Sequence, residues 1–147
     1  VALPSPRFTN NGNGTVKDNL TGLIWLKNAD CWGRINWTTA LINANGLANG
    51  ACGLTDGSVA GDWRLPNKNE LNSLIHAGYF SPALSNDAGN NKWVTGATSS
   101  FTNVQSNYYW SATTVAVDTT YAWLVDMDAS YVNNANKTST FYVWPVR

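Results

Sequence analysis

Residues 121–147 read YAWLVDMDASYVNNANKTSTFYVWPVR. Trp123, Val125 and Met127 alternate with Leu124, Asp126 and Asp128, the two-residue period of a strand whose successive side chains point to opposite faces. The first set predicts a buried face and the second a face turned outward. That outward face mixes Tyr, Leu, Asp, Ser and Asn, with almost no Lys or Glu, where an ordinary solvated surface carries more charge. The pattern predicts a sheet with one face in the core and a use for the other.

Working outward from this stretch, strands are expected at residues 108–112, 121–127, 130–133 and 141–146. Near the start, the turn signals Asn11-Gly12-Asn13-Gly14 and Asn19 to Gly22 separate short strands expected at 7–9, 15–17 and 23–26. Asn36 is placed to cap a helix whose Trp37, Ala40, Leu41 and Ala44 share a face and which Gly46 ends. After a Gly-rich loop at 48–61 comes GDWRLPNKNELNSLIHAGYF, residues 61–80. There Asn67 and Glu70 have capping-box spacing, Leu71, Leu74 and Ile75 form the apolar face, and Gly78 is the expected stop. Asp62 and Arg64 flank Trp63 as a structural ion pair or backbone anchors. Residues 81–107 show no period and read as a long polar loop, a length associated with function or disorder. No linker or internal repeat divides the chain. The expectation is one domain over 1–147 of class α+β.

Composition narrows the function. Charged residues make up 12% of the 147, about half the roughly 25% of ordinary soluble domains, and Asn, Thr, Ser and Gly take their place. The formal net charge is +0 and no Lys/Arg cluster exists, which argues against nucleic acid and against an electrostatic sulfated-glycan site. Eight Trp and six Tyr are many for this length; some are expected in the core, and both types also suit a binding surface. No apolar run is long enough to span a membrane. The chain opens at Val1 without a signal-like segment and is expected to be a mature or trimmed piece. Cys31 and Cys52, in an Asn/Thr-rich and Lys-poor chain, suggest export and one disulfide; two buried free thiols are the competing reading.

Catalytic sets are missing. His76 is the single histidine, and its placement in the last turn of the second helix predicts a partner for helix carbonyls. No Ser-His-Asp or Cys-His set follows from one histidine, and zinc needs three or four ligands. Asn10, Asn11 and Asn13 stand where a calcium loop would carry carboxylates, so a tight turn is expected there. No cofactor is expected.

The segments FTNNGNGTVKDNLTGLIWLKNADC, GDWRLPNKNELNSL, YYWSATT, YAWLV and KTSTFYVWPVR together resemble the bacterial domain family that includes the C-terminal domain of the Legionella collagen-like adhesin. The resemblance runs from about Arg7 to Arg147. It implies a C-type-lectin-like fold: two helices, a small antiparallel sheet joining the N and C termini, and long irregular loops. The family often has Asp where this chain has Asn10 and Asn13, so a cation site is not carried over, and without a basic surface neither is a sulfated-glycan ligand. The formylglycine-generating enzymes share a related fold, but their reactive cysteines have no counterpart here, so no enzyme is expected. The C-terminal segment also resembles the variable region of proteins targeted by diversity-generating retroelements. Adenine mutation of AAY codons cannot yield Gln, Glu, Lys, Met or Trp, and between Val115 and Tyr142 those types occur only at Trp123, Met127 and Lys137.

The expected function is therefore a secreted or surface-displayed ligand-binding module of bacterial origin, with Tyr121, Leu124, Asp126, Asp128, Tyr131, Asn133, Asn134, Asn136, Ser139 and Phe141 as contacts. The expected ligand is a protein or glycan, with no nucleic acid and no membrane insertion. The alternative is a structural or adhesive trimerising tip, glycan- or cell-wall-binding, in which the same aromatics bury in a homo-oligomer interface.

Overall fold

The computed structural model describes residues 2–147. Two three-stranded antiparallel sheets and two helices make up its regular structure, a mixed α+β architecture. The first sheet is a meander of β1 (Phe8–Asn10), β2 (Thr15–Asp18) and β3 (Ile24–Leu26), in that order. Its first turn is built by asparagine side chains: Asn10 Oδ1 accepts from the Gly12 N–H, and Asn13 Oδ1 from the Thr15 N–H and hydroxyl. Those amide oxygens serve the turn, as expected for an Asx-rich reversal. Gly14, at φ 84°, lies against the backbone of Gly53, where a Cβ would collide. This close approach brings the Cys52 loop onto the first hairpin, and Cys31 and Cys52 form a disulfide.

Helix α1 (Trp37–Gly46) starts where its cap predicts, with Asn36 Oδ1 accepting from the Thr39 N–H at 2.9 Å. Helix α2 (Lys68–Asn72) carries the expected capping box of Asn67 and Glu70. It ends well before Gly78, which corrects the expected stop. The Ser73 carbonyl, which a longer helix would offer to Ala77, instead accepts from Arg7 Nη2 at 2.8 Å, and the His76 N–H turns to the Ala83 carbonyl. His76 thus lies beyond the helix, stacked on Tyr79 with ring centroids 4.2 Å apart. Arg64 pairs with Glu70 rather than Asp62, both guanidinium–carboxylate contacts measuring 2.6 Å, while Asp62 anchors the Val59 N–H.

The second sheet has the order β4 (Tyr108–Thr114), β5 (Tyr121–Asp126), β6 (Tyr131–Asn136). Strand β5 is central, and both of its faces are covered. Ala122 and Leu124 belong to a core with Ala40 and Ala44 of α1, Leu65, Trp110 and Val143. Val125 and Met127 belong to a larger core with Trp25, Trp63, Tyr109 and Trp144. Trp144 organises that larger core, with Phe101 at 4.8 Å, Tyr109 at 5.4 Å and Trp25 at 5.9 Å between ring centroids. Leu124 is 1% exposed and Asp126 6%, which corrects the expected outward placement of both. Trp123, expected to be fully inward, is half-buried beneath the Lys68 ammonium of α2, 4.5 Å from its ring centroid.

Residues 141–146, expected as one strand, instead pass between partners: Phe141 bridges Ile35, Tyr142 bridges Tyr109, and Val146 bridges both Trp25 and Arg64. Pro145 contributes no N–H to any ladder. The expected single sheet joining the N and C termini is replaced by two separate sheets; the C-terminal residues meet β3 through bridges, with Ile24 and Arg147 exchanging both backbone hydrogen bonds at 2.9 Å. The 81–107 loop is irregular but held in place. Ala83 N–H donates to the Met127 carbonyl, Asn86 Oδ1 accepts from three backbone N–H groups at Gly89, Asn90 and Asn91, and Trp93 Nε1 donates to the Phe101 carbonyl.

Candidate ligand-binding site

Strand β5 ends at Asp126 because its side chain folds the backbone over. Asp126 Oδ1 accepts from the Asp128 N–H at 2.8 Å and the Ala129 N–H at 3.3 Å, and its carbonyl accepts from Ser130. Ser130 takes a left-handed φ of 62° to complete the reversal. The register then sets Asp126 between Tyr108 on β4 and Tyr131 on β6, and residues directly opposite share a face. The two phenol oxygens lie 2.7 Å apart. This hydrogen bond, with some desolvation, pushes the Tyr131 phenol up to about 12.

Beside this row opens a recess of about 380 Å³ lined by Ser106, Asn107, Tyr108, Asp126, Asp128, Ala129 and Tyr131. Asp128, just past the strand, is half-buried and accepts the Ser81 hydroxyl on Oδ1 at 2.6 Å. Phe141 packs behind Tyr108, ring centroids 5.5 Å apart, and against Trp110 at 5.1 Å. The recess presents two carboxylates and two phenols on a rigid sheet end, a set suited to binding polar ligands by hydrogen bonds and ring contact.

Of the ten residues expected as contacts, Asp126, Asp128 and Tyr131 come together at the recess, and Phe141 supports them. Asn133 is exposed on the same sheet face, opposite Leu124. Asn134 is exposed on the other face, beside Trp123. Tyr121 and Asn136 pair at the far end of the hairpin, where Asn136 Oδ1 accepts from the Thr138 N–H and hydroxyl. Ser139 follows in the same turn. Leu124 is in the core. Sequence reading missed Tyr108, Asn107 and Ser106; Tyr108 precedes two buried aromatics, and only the register of β4 against β5 reveals that it faces Tyr131.

Two larger recesses, about 590 and 520 Å³, share Lys27 and Thr102 near the first hairpin. Their walls are mostly glycine backbone, hydroxyls and amides. The second also includes Asp87 and Phe101, but Phe101 is buried in the larger core and the Asp87 carboxylate is taken up by the Ser100 N–H and hydroxyl.

The Lcl C-terminal domain family matches residues 14–147, from the first hairpin through the end of the chain. The chain belongs to that family. No curated protein matches it. Membership in the Lcl C-terminal domain family makes this an adhesin-associated domain. The disulfide fits a secreted or surface protein. Among the described residues, no helix is long and apolar enough to cross a membrane.

Proposed function

We propose that this domain is a non-enzymatic, ligand-binding module of a secreted or surface-displayed bacterial protein, contacting a protein or glycan through the β5–β6 end of its second sheet. The observation that carries the reading is the Tyr108–Asp126–Tyr131 row beside an open recess, a polar and aromatic surface held by two cores. Aromatic rings give contact area at low entropy cost, and Asn, Ser and Asp give adaptable hydrogen bonds, the chemistry of antibody paratopes. The two helices, the junction of β3 with the C-terminal residues and the long pinned loop support a C-type-lectin-like reading of the fold.

The finer proposal is a variable protein of a diversity-generating retroelement. Met127, beyond the reach of AAY mutation, is buried, and Trp123 is half-buried against α2, while Asn133 and Asn134 are exposed. A reverse transcriptase and a near-identical repeat of the 3′ coding end beside the gene would support this; a neighbourhood with neither would sink it.

The binding reading is tested on arrays of matrix proteins and glycans probed with the labelled, folded domain. Asp128→Ala combined with Tyr131→Ala is expected to abolish the array signal, while Lys17→Ala on β2 leaves it intact. Undiminished binding by the double variant, at an unchanged melting temperature, overturns the assignment of this face.

A further inference from the structure

Asp126 is 6% exposed, Asp128 half-buried, and both line one recess. Among the described residues, neither has a lysine, arginine or histidine nitrogen within ion-pair distance. The nearby Lys92 donates to the Ser81 carbonyl at 3.4 Å and makes no ion pair with Asp128. A carboxylate so far removed from water without a counter-charge is costly unless something compensates it. Asp126 Oδ1 is served by two backbone N–H groups, and the Tyr131 phenol lies within hydrogen-bonding reach of the same carboxylate; Oδ2 of Asp126 and of Asp128 has no backbone donor, and both residues line the recess. The rest of the wall is Ser106, Asn107, Ala129 and two tyrosines, whose rings attract cations and whose mutually bonded phenols retain acceptor capacity.

Resting on the binding reading above, we propose that this recess takes an N–H-bearing organic cation: the ammonium or guanidinium of a lysine or arginine side chain on a protein partner. The carboxylate oxygens need donors, which a quaternary ammonium lacks. A recess of about 380 Å³ has room for one side-chain head group and part of its stem. The surrounding exposed Tyr131 and Asn133 then contact the neighbouring surface of that partner.

The test follows the backbone amide signals of Asp128 and Ala129 and the ring signals of Tyr108 and Tyr131 by NMR during titration of the folded domain. The probes are Nα-acetyl-lysine amide, Nα-acetyl-arginine amide, uncharged Nα-acetyl-glutamine amide and choline; putrescine separates a free amine from a protein-borne one. Saturable shifts are expected with the lysine and arginine amides but not with the glutamine amide or choline, and added salt should weaken them. A stronger response to putrescine than to both amino-acid amides would reassign the source to a free amine and overturn the protein-side-chain proposal. Asp128→Asn, chosen because Asp126 also holds the hairpin turn, is expected to weaken binding about fivefold, and Asp128→Glu to retain it. No saturable shift, an equal response to the glutamine amide, or unchanged affinity in Asp128→Asn overturns the proposal. Should the array signal depend on Asp128 and Tyr131 while no cation binds, the face stands and the cation is wrong. Should the array signal survive the double variant, the face itself is wrong.

Discussion

Leu124 and Asp126 sit two residues apart on one face of one strand, and their surroundings separate their roles. Leu124 lies opposite Trp110 and packs with Ala40 and Ala44 of α1. Asp126 lies at the strand end, between two tyrosines and beside an open recess. Leu124→Ala is therefore expected to cost about 2–5 kcal/mol, as for a large-to-small change in a packed core. Asn134→Ala, on the exposed edge strand, should stay within about 0.5 kcal/mol. Chemical denaturation of both variants checks this; equal costs would mean that β5 is displaced by one residue from the register described. The buried Arg7–Asp18 pair shows the same dependence on surroundings. Its Nε–Oδ1 and Nη2–Oδ2 contacts, at 2.8 and 2.9 Å, satisfy two charges that are 1% and 0% exposed. Arg7 then reaches the Ser73 carbonyl and fixes the end of α2.

At the scale of elements, the caps were legible and the strand faces were not. Asn36 and Asn67 announce their helices because a cap is chemistry local to three or four residues. Asn67→Ala should lower stability by about 1 kcal/mol. The box also carries a pH dependence. Arg64, hydrogen-bonded to both Glu70 oxygens, holds that carboxyl below the usual glutamate range despite partial desolvation. Its contribution is complete above the ordinary glutamate value of about 4.3 and is lost as pH falls through the lower folded value. The stability difference between wild type and Glu70→Gln should shrink across that acid window; a difference growing toward acid would contradict the pairing. The faces of β5 were misread because alternation reports a half-buried strand, whereas this strand is covered on both sides and its Leu and Asp positions carry no mark of that. The end of α2 was missed for a similar reason: Ser73 gives up its carbonyl to Arg7, 66 residues away. The candidate site was half legible. Asp126, Asp128 and Tyr131 stood in the quoted stretch, but Tyr108 joins them only through sheet register.

At the scale of the whole molecule, two cores and a disulfide hold the second sheet, and the recess opens at its Asp126–Tyr131 end. The larger core fixes the N-terminal meander to the C-terminal residues through Trp25, Trp144 and Val146. The smaller one clamps α1 against β4 and β5. Closing the loop between Cys31 and Cys52, 21 residues apart, adds on the order of 3 kcal/mol by restricting the unfolded chain. None of these supports passes through the side chains of Asp128, Ala129, Tyr131, Asn133 or Asn134. Under the proposed function these positions serve a ligand while the cores specify the fold. This division is tested most directly by a displayed library randomised at those five positions, sorted first for folding with a protease and then for binding to unrelated protein targets. Most members are expected to fold, and binders to several targets are expected to emerge from the folded pool. A library in which most members are cleaved as unfolded, or a folded pool that yields no binder to any target, would contradict that division.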